Sequence, residues 1–444
     1  MDRRHFSLAL GALAAGCAAA PRATLPSSVA AVTCQPTPFG GLPFEWITFS
    51  ASGELTSPPP TLLQDQTITD FIIVSHGWNS DYPGALRVYE PLLSGVNSAL
   101  SAAPSDRKYA ALLVLWPSKQ FGASEEAPAV ATVSGRSRIR ATDVSEDVLR
   151  HFVEQFAAFA GADSGRLMER AQAAIRSQFE TGASAALLSD VRDALGWQEL
   201  DSELEADAAR YTPDNAGTLL RGLSGERRYR FGSTREQRSR HQGPRIGVSL
   251  LFNSCTFWGM KDRAGEIGRG IAAHVLAPAQ ASSAARIHLI GHSFGARVVT
   301  SAVYHAADAS KLQSLTMLQG AFSHNALAPG GAFVNAHRKI AGPTLITCTH
   351  NDRAVFQAYA IASHLSGDSS RRLGGADDSF GAIGANGAQG IPGDLASPSR
   401  SCVDDPIVWT PGKVHNLNSD HCIADHMDVT NRRISSIVAS ALAL

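Results

Sequence analysis

The stretch RIHLIGHSFGARVVTSAV, residues 286–303, decides the fold of this chain. Its first part, 287–290, is a short apolar run typical of a buried strand, and the valines of 298–303 continue at helical spacing. Between them lies Gly291-His-Ser-Phe-Gly295, which matches the Gly-x-Ser-x-Gly pattern of a nucleophile elbow. Because glycine has no Cβ, strand and helix can approach closely around a serine in a strained conformation. The pattern therefore predicts a sharp strand-to-helix turn that exposes the Ser293 hydroxyl.

Further apolar runs alternate with segments of helical periodicity along the rest of the chain. The strand candidates lie at 44–50, 71–74, 109–116, 287–290, 315–318 and 344–348. Continuous apolar runs are typical of strands that are buried on both faces, and strands that alternate with helices indicate parallel pairing. We therefore expect an α/β fold with a mostly parallel central sheet and helices on both faces.

The segment 122–245 differs in character, because its apolar residues follow helical spacing and its end is basic and polar. Asp143-x-x-Glu146 has the form of a capping box, and further helices are predicted near 167–179 and 185–195. We interpret this segment as a mainly helical cap or lid that interrupts the core. The predicted boundaries are an export signal at 1–20, a linker at 21–40, the first part of the core at 41–121, the cap at 122–245 and the second part of the core at 246–444.

The N-terminus has the layout of an export signal, with Arg3 and Arg4 before a short apolar run and small residues. Arg-Arg-x-Phe resembles the twin-arginine signal, and residues 13–17 resemble a bacterial lipoprotein cleavage site in which Cys17 carries the lipid. We expect an exported chain, either periplasmic or tethered to a membrane through Cys17. Lys plus Arg number 39 against 40 Asp plus Glu, so no basic excess indicates a nucleic-acid partner.

A serine hydroxyl is a weak nucleophile unless a histidine, oriented by a carboxylate, removes its proton. In elbow-type hydrolases both partners follow the serine along the chain. Asp352 comes directly after the apolar run 344–348, at the carboxyl end of the predicted sheet, where sites of such folds gather. His426 precedes the closing helix and is the candidate base, whereas His292 is expected to point elsewhere on the turn. The alternatives are Asp377, Asp378, Asp404 and Asp405 for the acid, and His421 and His415 for the base.

An oxyanion hole requires two backbone N–H groups aimed at the tetrahedral intermediate. One is expected from Phe294, the residue after the nucleophile, where the N-terminus of the new helix also favours negative charge. The second is expected from the loop after an early strand. Ser75-His-Gly-Trp78 follows the run 71–74, so the Trp78 N–H is the candidate donor.

Six cysteines in 444 residues are too few for a disulfide scaffold. Cys402 and Cys422 both lie in loop-like sequence and could pair in an oxidising compartment. Together with His415, His421 and His426 they form a cluster along the chain, but its spacing fits no structural zinc pattern. We therefore expect neither a metal nor another cofactor.

Taken together, these segments resemble bacterial α/β-hydrolases of the esterase/lipase kind over about 70–120 and 250–440. The resemblance is carried by His76-Gly-Trp78, Trp116-Pro-Ser118, Gly291-His-Ser-Phe-Gly295, Asn351-Asp352 and His426. It implies Ser293 as nucleophile, Asp352 as acid and His426 as base, cleaving small-molecule carboxylic esters or lipids through an acyl-enzyme without a cofactor. The alternatives are an acyltransferase or peptidase on the same triad, and an inactive cell-envelope binding protein.

Overall fold

Each of the predicted apolar runs forms a strand of one sheet. The computed structural model describes residues 39–102, 105–118, 144–196, 213–224, 243–352, 355 and 381–444. The strands are β1 (Phe44–Thr48), β2 (Asp70–Ser75), β3 (Tyr109–Leu115), β4 (Arg286–His292), β5 (Leu312–Leu318), β6 (Thr344–Cys348), β7 (Arg400–Ser401) and β8 (Val414–Asn418). Their order in the sheet is β1-β3-β2-β4-β5-β6-β8-β7, and all neighbouring strands pair in parallel. The α/β prediction is confirmed.

Helices cover both faces of this sheet. They are α1 (Tyr82–Ser101), α2 (Glu146–Ala160), α3 (Ser164–Arg176), α4 (Thr181–Leu195), α5 (Ala216–Leu223), α6 (Pro244–Ile271), α7 (Ala277–Ser282), α8 (Phe294–His305), α9 (Ile383–Asn386) and α10 (Arg432–Leu442). Along β2, Phe71 and Ile73 join the apolar cluster that contains α6 and α8, whereas Ile72 and Val74 join that of α1 and α10. Successive side chains of a strand point to opposite faces, so both faces are buried.

The strand order reverses direction beside β2, because β3 lies on one side of it and β4 on the other. Ser75, the last residue of β2, is in register with Gly291 of β4. In open α/β sheets, ligands bind in the crevice outside the carboxyl ends of the strands at such a reversal. The sheet therefore brings the loop after β2 next to the turn that carries Ser293.

The described parts of the segment 122–245 are helical. The helices predicted near 167–179 and 185–195 are α3 and α4. The N-cap of α2 is Ser145, whose hydroxyl accepts a hydrogen bond of 3.3 Å from the Val148 N–H. The prediction that Asp143 caps this helix was therefore wrong, because the helix begins after Ser145. Asp143 itself lies outside the described residues.

These helices share one core with the sheet. The helix α6 begins at Pro244 and continues across the predicted boundary between 245 and 246. Phe156 of α2 packs against Phe252 of α6, with ring centroids 5.2 Å apart. The described residues from 39 onward belong to one compact unit, and the apolar cluster that contains α2 also contains β2 and α8.

The sequence between β7 and the closing helix contains a strand that was not predicted. This strand, β8, reads Val-His-Asn-Leu-Asn and pairs with β6. Its polar side chains satisfy neighbouring backbone groups: Asn416 accepts from the Ala388 N–H (2.8 Å) and donates to the Ala388 carbonyl (2.9 Å). The Gly- and Ser-rich segment 366–401 contains α9 and β7 in its described part, 381–401. None of the helices in the described ranges combines the length and apolar content of a membrane span.

Candidate active site

Ser293 lies in the one-residue turn between β4 and α8. Its backbone has φ 58° and ψ −123°. Residues other than glycine avoid this region because it strains the backbone. The turn is held by hydrogen bonds from the Ser293 N–H to the Leu318 carbonyl (3.0 Å) and from the Ala321 N–H to the Ser293 carbonyl (3.2 Å). The end of β5 thus fixes the conformation at residue 293.

Three glycines permit the close approach of backbone segments around this turn. A Cβ at Gly291 would lie 2.2 Å from the Gly295 carbonyl oxygen, and one at Gly295 would lie 2.1 Å from the Ser75 carbonyl oxygen. A Cβ at Gly77 would lie 2.6 Å from the Ser293 Cβ. Real Cβ atoms do not approach other atoms so closely, so each position requires glycine.

Asp352 and His426 form a hydrogen-bonded pair. His426 Nδ1 and Asp352 Oδ2 are 2.7 Å apart, the Asp352 side chain is fully buried, and the exposed fraction of the His426 side chain is 15%. Asp352 Oδ1 accepts a second hydrogen bond, of 3.0 Å, from the Val355 N–H. The structure therefore brings together two of the predicted residues from segments 74 positions apart.

The pairing determines which nitrogen of His426 carries the proton. Because an ionised carboxylate only accepts, Nδ1 is the donor and the lone pair of the neutral ring is on Nε2. Burial lowers the pKa of His426, but the charge of Asp352 and the hydrogen bond to it raise it more, so the net pKa lies above the ordinary value. This is the tautomer that a general base at Ser293 requires.

His292 joins the elbow to the loop that carries His426. Its Nε2 donates a hydrogen bond of 2.8 Å to the His426 main-chain carbonyl, and the two imidazole centroids are 4.8 Å apart. Burial lowers the pKa of His292 to about 3, so the ring is neutral at pH 7. As predicted, His292 is not placed to act as the base, because its Nε2 is engaged in this hydrogen bond. It instead holds the main chain of His426, the candidate base.

The loop of His426 is also anchored to the segment of Asp352. Asn351 Nδ2 donates to the main-chain carbonyls of Asp420 (2.8 Å) and Ile423 (2.9 Å). Cys422 forms a disulfide with Cys402, the pairing that the sequence left open. These contacts fix both ends of the Asp352–His426 hydrogen bond.

His76 organises the loop after β2. Its ring stacks on Trp116, with centroids 5.5 Å apart and 6° between the planes, and its Nε2 accepts the Trp116 backbone N–H (3.3 Å). Nδ1 then donates to the Gly77 carbonyl (2.9 Å), and the His76 N–H donates to the Tyr89 hydroxyl (2.6 Å). Burial lowers the pKa of His76 to about 4 and keeps the ring neutral.

This network fixes the loop that carries the candidate oxyanion donors. Trp78 follows Gly77, and its ring centroid lies 6.2 Å from that of Phe294 and 5.6 Å from that of Phe257 on α6. Phe294 is the first residue of α8, where backbone N–H groups have no acceptor within the helix. The two predicted donors therefore belong to segments that flank Ser293.

Gln319 is a residue of the site that sequence reasoning did not identify. It follows β5, is fully buried, and has φ 47°. With its amide nitrogen toward the acceptors around it, Nε2 donates to Asp352 Oδ2 (3.1 Å) and to the Gly384 carbonyl (2.9 Å). The available signal was its position, a polar residue at the carboxyl end of a buried strand.

The alternative residues lie elsewhere. His415 belongs to β8 and not to the loop of His426, and its Nε2 contacts the Thr410 backbone. Asp404 accepts from the Ser401 N–H (2.9 Å), and His421 is exposed. Asp377 and Asp378, like Arg3, Arg4 and Cys17, lie outside the described residues.

Ser293 is largely buried, with 6% of the residue exposed, so it is much less open to solvent than the elbow pattern predicts. Its hydroxyl makes no hydrogen bond to any of the residues that the structure describes. In free enzymes the hydrogen bond between nucleophile and base is often long and tightens only when substrate binds. Comparison of this chain with protein-family models, with curated proteins and with solved structures found no match.

Proposed function

We propose that this chain is a serine hydrolase of the α/β-hydrolase class that cleaves carboxylic esters through an acyl-enzyme on Ser293. The observation that carries the proposal is the hydrogen bond between His426 and the buried Asp352, together with a serine of strained backbone dihedrals that directly follows His292, a contact of His426. The chain order of serine, aspartate and histidine, after β4, β6 and β8, is that of elbow-type hydrolases.

In the first half-reaction the Ser293 oxygen attacks the ester carbonyl while His426 Nε2 takes its proton. Asp352 stays ionised and stabilises the imidazolium that forms, because it already accepts the Nδ1 proton. His426 then gives the proton to the leaving alcohol, and the acyl group remains on Ser293. The hydrogen bonds from Asn351 and His292 hold the imidazole in place through these steps.

The negative charge of the tetrahedral intermediate requires donors that are already oriented. We assign this role to the backbone N–H groups of Trp78 and Phe294, which flank Ser293. A water molecule, deprotonated by the same His426, releases the acid in the second half-reaction. Each backbone donor of this kind contributes about 3 kcal/mol to transition-state stabilisation.

The helices α2–α5 act as a cap over the substrate in this proposal. Phe257 of α6 packs against Trp78 and Phe294, with ring centroids 5.6 and 4.7 Å apart. An apolar wall beside the oxyanion donors favours a small ester or lipid with an apolar acyl group. Substitution of Phe257 by Ala should therefore alter the preferred acyl length more than it alters labelling of Ser293.

Export to the periplasm, or a lipid tether at Cys17, completes the proposal. The disulfide between Cys402 and Cys422 supports an oxidising compartment, because cytosolic thiols stay reduced. Incorporation of labelled palmitate by wild type but not by Cys17→Ser would support the tether. If wild type incorporates no palmitate and the protein is found in the periplasmic fraction, the result supports a periplasmic protein without a lipid tether.

A fluorophosphonate probe tests the catalytic proposal directly. Wild type should form an adduct at Ser293, and Ser293→Ala should not, whereas Ser282→Ala removes an exposed serine and serves as the matched control. A series of nitrophenyl esters of increasing chain length then gives the acyl preference. Faster turnover of amine acceptors or peptides would favour an acyltransferase or a peptidase, and absence of an adduct would favour a binding protein.

A further inference from the structure

Gln319 has a backbone conformation that its residue type does not favour. It has φ 47°, a region where glycine and asparagine are much more common than glutamine. The residue is fully buried at the end of β5, directly after Leu318, whose carbonyl accepts the Ser293 N–H. A costly conformation at a buried position indicates that the long side chain has a role there.

The hydrogen-bond network assigns the orientation of the Gln319 carboxamide. Nε2 lies 3.1 Å from Asp352 Oδ2 and 2.9 Å from the Gly384 carbonyl, and Oε1 accepts from Thr347 Oγ1 at 3.2 Å. In the opposite orientation Oε1 would face a carboxylate and a carbonyl, which are both acceptors only. The Gln319 backbone N–H also donates to Thr347 Oγ1 (3.0 Å), so the residue is held at both ends.

We propose that Gln319 is a positioning residue for the base, acting through Asp352 Oδ2, the same oxygen that accepts the His426 Nδ1 proton. This inference rests on the proposed function, because it assigns His426 the role of base. The Val355 N–H holds Oδ1 while Gln319 and His426 share Oδ2, so the carboxylate cannot rotate without losing a hydrogen bond.

Among the residues that the structure describes, few charged or titratable side chains act on the Asp352–His426 pair. His426 contacts it from the C-terminal loop, and His292 from β4 is near enough to feel its charge. Asp425 acts on His426 from the same loop. Gln319 is the uncharged partner on the side of β5, so an added charge at residue 319 should act on the pair directly.

Three variants separate positioning from backbone support. Gln319→Asn suits positive φ better than glutamine does, but its shorter side chain cannot reach Asp352. Gln319→Met keeps the length and removes the donor. Gln319→Glu keeps the shape and places a second carboxyl group against Asp352, so that one of the two must stay protonated or both must repel.

The readouts are the melting temperature, kcat/KM for a nitrophenyl ester, and the pH dependence of kcat/KM. We expect Gln319→Asn to melt at or above the wild-type temperature with kcat/KM lower by about tenfold. Gln319→Glu should move the acid limb of the pH profile upward by about one pH unit, because added negative charge favours the imidazolium. Wild-type kcat/KM and an unmoved acid limb in all three variants would overturn the inference.

A spectroscopic readout keeps this test separate from that of the proposed function. The proton between His426 Nδ1 and Asp352 should give a low-field resonance, because the two atoms are 2.7 Å apart, and its loss in His426→Ala would identify it. It should shift in Gln319→Asn and in Gln319→Met whether or not the protein hydrolyses esters. An unshifted resonance overturns the role of Gln319, whereas a shifted resonance in a protein without a Ser293 adduct overturns only the proposed function.

Discussion

The main-chain carbonyl of His426 accepts a hydrogen bond of 2.8 Å from His292 Nε2. The residue before the candidate nucleophile thus holds the backbone of the candidate base. We expect His292→Leu to lower kcat/KM by about tenfold, because a displaced base loses its alignment. His292→Gln retains an N–H donor and should lose less. Equal activity of both variants with wild type, measured on a nitrophenyl ester, would show that this hydrogen bond does not position His426.

The same histidine makes stability depend on pH. Burial lowers the pKa of His292 to about 3, against 6.5 in an ordinary histidine. Between these values the unfolded chain binds more protons, so the free energy of unfolding falls as the pH decreases. From about pH 7.5 to about pH 5.5, His292 should account for a loss of about 1.4 kcal/mol. Urea unfolding of His292→Gln at both pH values should show a loss smaller by that amount, and an unchanged difference would contradict a neutral His292.

Gly77 is the position where a single methyl group should disturb the candidate nucleophile. A Cβ there would lie 2.6 Å from the Ser293 Cβ and 3.1 Å from its Oγ. We expect Gly77→Ala to lower kcat by about a hundredfold through displacement of Ser293. The matched control is Gly182→Ala in α4, because a Cβ at Gly182 meets no atom within 4 Å. Alanine also has a higher helix propensity than glycine. Similar kcat values in both variants would argue against the predicted geometry.

The disulfide between Cys402 and Cys422 should stabilise the loop that contains His426. It spans 20 positions, and closing a loop of that length contributes about 3 kcal/mol to the free energy of unfolding. We expect the double variant Cys402→Ser with Cys422→Ser to lose about this amount and to be cut faster by proteases near residue 426. Reductant should reproduce the effect in wild type and add nothing in the variant. A reduced wild type with unchanged melting would refute the prediction.

Asp70 lies at the opposite end of the sheet from the candidate site. It is fully buried and accepts hydrogen bonds from Arg107 (2.8 Å), Arg286 (2.9 Å) and His288 (3.0 Å). Burial raises the pKa of Asp70, but these donors outweigh burial and hold the pKa well below its usual range. The stability that ionised Asp70 contributes to the fold is fully present above the ordinary pKa of an aspartate. It is lost as the pH falls through the lowered pKa of Asp70.

We expect Asp70→Asn to lower the free energy of unfolding by about 2 kcal/mol at neutral pH, because Arg107 and the partly exposed Arg286 lose the buried carboxylate that accepts their hydrogen bonds. The activity of the folded variant at 25 °C should equal that of wild type. Asp106→Asn, which changes an exposed carboxyl group beside Arg107, is the control and should melt with wild type. Equal urea midpoints for Asp70→Asn and Asp106→Asn would contradict the prediction.

Much of the fold could be predicted, because its strands are continuous apolar runs. The run 344–348 coincides with β6, and 287–290 lies within β4. A buried strand needs apolar side chains on both faces, and that requirement is visible locally. The strand β8 was missed because its asparagines satisfy backbone groups of a neighbouring loop, which a local pattern does not reveal.

The contacts of the site were predictable only in part, for a related reason. The turn around Ser293 requires glycines within two positions. Glycine and serine are common in this chain, so the pentapeptide predicts the turn only together with the strand before it and the helix after it. Gln319 and His292 act on residues that are distant in sequence, and only the register of β4, β5 and β6 brings them together. The signals for such residues are weak, because any buried polar side chain at a strand end fits the same description.

The helix α6 packs against α2 and also against α8. Arg297 of α8 donates from Nε to the Lys261 carbonyl of α6 (2.7 Å), and Ser301 donates to the Gly265 carbonyl (2.8 Å). α8 begins one residue after Ser293. A displacement of α6 would therefore be transmitted through these two hydrogen bonds to α8, the helix that begins next to Ser293.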